Sequence, residues 1–136
     1  MLWGFSIAFS TGGMVHGGYN LHSFFGSLSH GALRDVTTHR LGSGGATYPA
    51  NVQVFYQCTF AIITVGLITG AYAERMRFSA CLLFSALWLA GVYCPLAHMV
   101  WSGDGAFLHD FGALDFAGGL GAPPARLLQS RVRDHI

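Results

Sequence analysis

Hydrophobic positions in this chain gather into long runs, not into the alternation of a half-buried strand or the single stripe of a surface helix. Between Arg40 and Glu74 lie 33 residues without Asp, Glu, Lys or Arg, and 26 more separate Arg77 from Asp104. A helix rising about 1.5 Å per residue needs roughly 20 apolar residues to cross a hydrocarbon core of about 30 Å. Residues 51–73 and 78–101 both meet that length, and the runs VGLITGAYA and FSACLLFSALWLAGVY are apolar on all sides. The pattern predicts two transmembrane helices. Their connector, Glu74-Arg75-Met76-Arg77, is so short that the helices must be antiparallel neighbours joined by a charged turn at one membrane face.

The flanks are read from the same pattern. MLWGFSIAFS is apolar but too short to span, and it runs into Thr11-Gly12-Gly13 and Gly17-Gly18, which break helices. Residues 1–18 are therefore expected to hold the end of a transmembrane helix. The basic start and longer apolar stretch of a cleaved export signal are not seen. Residues 19–50, rich in Gly, Ser, His and Thr, read as a polar loop outside the bilayer. After Trp101 the glycine-rich segment 102–119 reads as a loop and the start of a further helix. Pro123-Pro124 followed by Arg126, Arg131, Arg133 and Asp134 is costly at a bilayer centre, so 120–136 is expected to be a divergent tail.

Composition sets the solvent. With 52% hydrophobic and 10% charged residues, an all-α polytopic membrane protein is the expected class. Lysine is absent and the formal net charge is +1, which leaves no basic face for nucleic acid. Cys58, Cys81 and Cys94 form no CxxC pair and read as buried thiols. No nucleophile–base pair, phosphate loop or metal-ligand spacing appears, so neither an enzyme, a metal nor a cofactor is expected.

Three motifs in order, GLITGAYAERMRFSA, PLAHMVW and GALDFAGG, carry a resemblance to the ammonium transporter family, the Amt/Mep/Rh proteins. The similarity covers about residues 51–119, more loosely the stub WGFSIAFSTGG, and fails after Gly119. It implies a fragment of an eleven-helix fold that works as a homotrimer with a pore in each subunit, in the plasma membrane. Arginine counts on the two sides of the first span are tied at two and two, and leave the orientation open. The resemblance implies that 19–50 and Trp101 face outside and that 74–77 face inside.

What the resemblance implies for single residues can be set beside plainer readings. Trp101 corresponds to the tryptophan of the family's outer recruitment site, where an indole face holds a desolvating cation at roughly 0.5–2 kcal/mol. The plain reading is an interfacial belt tryptophan. Tyr56 and Phe60, four apart and so on one helix face, match the outer aromatic of that site and one ring of the gate beneath it. An apolar gate passes neutral ammonia more readily than a hydrated ion. Their plain reading is helix packing. Asp115 orders the site from beneath in the family, and N-capping of the next helix is compatible with that. Ala117 matches a position whose backbone carbonyl helps orient the ion. Gly66 and Gly70 form a GxxxG interval suited to close helix packing.

His98 belongs to the PLAHMVW stretch but is not one of the family's two pore histidines. The first of those would fall at Pro123 and the second in a helix beyond this sequence, so the chain is not expected to conduct alone. Two other readings stay open: a small membrane anchor binding haem through His98 and a second histidine such as His16 or His22, and a non-conducting partner of full-length transporters. Ammonium or ammonia and the lipid bilayer are the partners the resemblance implies.

Overall fold

The computed structural model describes residues 3–15, 18–34, 36–39, 41–42, 47–113 and 115. Five α-helices occur among them: α1 (Gly4–Phe9), α2 (Ala50–Tyr72), α3 (Phe78–Trp88), α4 (Cys94–Trp101) and α5 (Phe107–Asp110). Short 3-10 turns occupy Leu21–Ser23 and Gly31–Leu33. The only extended pairing among the described residues is an isolated antiparallel bridge, Leu41 to Pro49.

Helices α3 and α4 form one rod, Phe78–Trp101, interrupted by a π-helical turn at Leu89–Tyr93. Pro95 supplies a cause. It has no N–H to offer the carbonyl of Gly91, and its ring crowds that carbonyl, so the turn ahead of it widens instead of closing normally. Both this rod and α2 are long and apolar enough to cross a bilayer, and most of their surface is not covered by the rest of the chain. Between them, Ala73 caps α2 and Glu74 takes a left-handed conformation, φ 66°, to reverse the chain.

Packing is uneven. Helix α1 lies against α4, and the core gathers there from Phe5, Ala8, Phe9, Cys94 and Ala97, all buried. Gly4 permits the approach, because a Cβ on it would meet Cys94 Sγ at 3.0 Å. Gly4 and Ala8 are four apart, so the small-residue interval used for close packing is on α1. Gly66 and Gly70, expected to serve that purpose, are exposed, and a Cβ on Gly66 would meet nothing within 4 Å. A GxxxG interval permits close approach but does not supply a partner.

The segment after α1 is stitched back onto it. The Gly26 N–H donates to the Ile7 carbonyl at 3.0 Å. Ser6 Oγ donates to the Ser27 carbonyl at 2.8 Å and accepts from the His30 N–H at 2.9 Å. Ser10 Oγ shares hydrogen bonds with Ser27 and Ser29. A segment that reads as a polar loop thus forms a tight cap over α1 and the Trp101 end of α4. By contrast, α2 touches α3 and the π turn only lightly, through contacts such as Tyr72 against Phe84, with ring centroids 5.8 Å apart.

Candidate functional site

The site begins at the end of α4. Trp101 is its last residue and Ser102 its cap. Gly103 and Gly105 then adopt φ of 90° and 93°, a region that side chains with a Cβ rarely enter. The Gly105 N–H donates to Asp110 Oδ1 at 3.0 Å, which pins the loop. This reversal returns the chain so that Asp115 meets the indole: Trp101 Nε1 donates to the Asp115 carbonyl at 3.1 Å.

Helix α2 contributes the other rings. Tyr56 and Phe60, one turn apart, meet edge to face with centroids 5.1 Å apart. Phe60 in turn meets Trp101 at 6.1 Å, with the ring planes 63° apart. The structure therefore brings Tyr56, Phe60, Trp101 and Asp115 into one constellation, the rings running in series from α2 to α4. Tyr56 is exposed, while Phe60 and Trp101 are half-buried. Beside the indole, Tyr93, Leu96, Ala97, Val100 and Asp115 close a cleft of about 10 Å³, close to the least space that holds one water molecule. Such an arrangement offers a cation aromatic faces and offers a hydrated ion few polar partners.

The contribution of Asp115 differs from an acid's usual role, because what reaches Trp101 is its main-chain carbonyl. Ala117 and the position of Pro123 lie outside the described residues, as does His16. No group of three or more His, Cys, Asp or Glu side chains suited to a metal ion occurs among the described residues.

His98 is fully buried on α4. Its Nε2 lies 2.8 Å from the His22 carbonyl, and its Nδ1 lies 2.6 Å from Ser102 Oγ and 3.2 Å from the Ala8 carbonyl. Both ring nitrogens are held by protein groups, which leaves neither open to an axial bond with haem iron. His22 reaches His98 through its main chain.

Two neighbours of the site escaped the sequence reading. Tyr93 stands with Leu96, Ala97, Val100 and Trp101 at the i, i+3, i+4, i+7, i+8 interval of one helix face, a signal the long apolar run conceals. Ser102 was legible in part: it stands four after His98, an interval at which helical side chains meet.

Known proteins resemble this chain in sequence and in fold. Residues 1–121 match the family model described as Ammonium Transporter Family. An ammonium transporter of Bacillus subtilis is 42% identical over 119 residues, covering 88% of this chain and 26% of that protein. One from Aquifex aeolicus is 54% identical over 72 residues, covering 53% of this chain and 16% of its own length. The crystal structure of Candida albicans Mep2 superposes with a TM-score of 0.69 at 37% identity, over 87% of this chain and 24% of that one. The chain thus spans about a quarter or less of the length of these relatives.

Proposed function

The chain belongs to the ammonium transporter family, and from that premise we propose that it carries the outer mouth of an ammonium pathway. The observation that carries the proposal is the series of rings Tyr56, Phe60 and Trp101, joined edge to face across two helices. In this reading Trp101 and Tyr56 hold the arriving ammonium ion while it sheds water. Phe60 forms part of the gate below them. Asp115 supports the site by fixing the indole through its carbonyl. Ammonium gains here because cation–π attraction is worth about 2 kcal/mol once the ion is desolvated, and four N–H groups can bond carbonyls that a spherical ion uses less well.

The mouth faces outside the cell and the Glu74–Arg77 turn faces inside, with the protein in the plasma membrane. The remaining pore wall, including both pore histidines, comes from segments beyond the match. Conduction therefore requires the remainder of a transporter, assembled as a homotrimer in full-length form. The exposed face of α2 bearing Gly66 and Gly70 is where further helices pack.

Methylammonium uptake in cells lacking their own transporters tests this. The chain alone is expected to give little or no uptake. Residues 1–121 substituted into the Bacillus subtilis transporter in place of its corresponding segment should support uptake that ammonium competes away. Trp101→Ala in that hybrid should lower the preference for ammonium over sodium about tenfold. Unchanged preference in the alanine variant would overturn the role of the indole.

A further inference from the structure

Trp101 ends a helix, and the last turn of a helix frays because its final carbonyls have no partners within it. A ring that must face both Phe60 and the Asp115 carbonyl is poorly served by a loose end. The side chains at the start and just past the end of that turn are among the most enclosed in the molecule: His98 is 0% exposed and Ser102 is 2%. Their hydrogen bonds leave α4. Nε2 of His98 lies 2.8 Å from the carbonyl of His22, in the 3-10 turn Leu21–Ser23. Ser102 Oγ lies 2.6 Å from His98 Nδ1 and 2.8 Å from the carbonyl of Ala8, in the last turn of α1.

A carbonyl oxygen only accepts, so Nε2 is a donor. Ser102 Oγ stands between His98 Nδ1 and the Ala8 carbonyl with one proton to give, so it donates to one of them at a time, and the array of contacts runs from the His22 carbonyl through His98 and Ser102 to the Ala8 carbonyl. Main-chain carbonyls end it on both sides, and neither can pass a proton onward. Its chemistry is suited to holding geometry, not to relaying charge.

We propose that His98, together with Ser102, is a positioning residue for Trp101: the two side chains clamp the final turn of α4 to α1 and to the Leu21–Ser23 turn, which sets the height and rotation of the indole. The imidazole joins two segments that meet only through tertiary packing, and a side chain offering fewer polar atoms would leave one of those connections open. The consequence for ammonium rests on the mouth reading above, whereas the clamp itself does not.

The test uses the whole chain in detergent micelles with its three tryptophans labelled with nitrogen-15, each indole resonance assigned by a single Trp→Phe substitution. Two quantities are read: exchange of each indole N–H with solvent, and its shift on titration with ammonium chloride against sodium chloride. His98→Ala should speed exchange at Trp101 about tenfold or more while leaving Trp88 unmoved. It should also raise the ammonium concentration for half-maximal shift about tenfold. His98→Gln, which keeps a donor toward the His22 carbonyl, should bring both values back within about threefold of the parent.

Should His98→Ala abolish all three resonances, Ser102→Ala decides, since it removes one hydroxyl and should still loosen Trp101 selectively. Exchange at Trp101 unchanged in Ser102→Ala and in any folded His98→Ala overturns the clamp. If the parent indole ignores ammonium while Trp101 still loses protection in the variants, the clamp stands and the mouth reading falls. If ammonium shifts the parent and variants at the same concentration with equal exchange, the mouth reading stands and the clamp falls.

Discussion

Two regions of this molecule spend their hydroxyl groups differently. In α2 and α3 the threonines and Ser85 bond back into their own helix: Thr59 to the Tyr56 carbonyl at 2.6 Å, Thr64 to Phe60 at 2.7 Å, Thr69 to Val65 at 3.2 Å and Ser85 to Cys81 at 2.7 Å, while the Tyr72 hydroxyl lies 3.4 Å from Ser85 Oγ across the two helices. In the block formed by α1, the segment after it and the end of α4, hydroxyls bond across the fold. Ser6 reaches the Ser27 carbonyl and the His30 N–H, and Ser102 reaches the Ala8 carbonyl. A helix in lipid gains by satisfying polar groups internally, and Thr59, Thr64, Thr69 and Ser85 do so on their own helix. The α1–α4 block depends on tertiary contact for both its packing and its polar pairing. One region turns most of its hydroxyls onto its own backbone and is open in packing; the other turns them across the fold and is closed in packing.

That contrast can be broken most forcefully at Gly26. A Cβ there would overlap the Ile7 carbonyl, which is backbone and cannot swing aside. Gly26→Ala should destabilise the chain by about 3 kcal/mol, read as a lowered thermal midpoint in micelles by circular dichroism. A midpoint within a degree or two of the parent would show that the block is not held as described.

A paired substitution sharpens the comparison at intermediate size. Ser6→Ala strands the enclosed His30 N–H and should cost about 1–2 kcal/mol. Thr64→Val removes only a bond to the helix's own backbone and keeps the shape, so its cost should stay below about 0.5 kcal/mol. Equal losses in the two variants would erase the distinction between the regions. The smallest effect is expected at Gly66. With open space around its Cβ position, Gly66→Ala should stabilise α2 by about 0.5–1 kcal/mol through backbone entropy alone. In the hybrid transporter the sign should reverse if other helices pack on that face. Uptake assays alongside melting curves would reveal it.

The aromatic constellation joins the two regions, since Tyr56 and Phe60 come from the open one and Trp101 from the closed one. This division gives the site a rigid partner and a partner whose final position depends on further helices. The clamp through His98 belongs to the rigid side. The affinity of the mouth is therefore expected to respond to changes around α4 before changes along the outward face of α2.

Much of the architecture could be read from the residues in order. Freedom from charge over 33 residues and an apolar surface on every side are local properties, and helical rise converts them directly into a span. Motif order identified the family for a similar reason, because it needs no knowledge of where the chain returns. Partners distant in sequence were another matter. The Ala8 and His22 carbonyls lie 90 and 76 positions from His98, and no spacing rule connects them. The same holds for the packing of Gly4 and Ala8 against α4, and for the use of Asp115 through its carbonyl. Each was decided by which surfaces meet in three dimensions, because a hydrogen bond or close helix contact requires both partners at one place, while hydrophobicity and helix length are properties each segment carries alone.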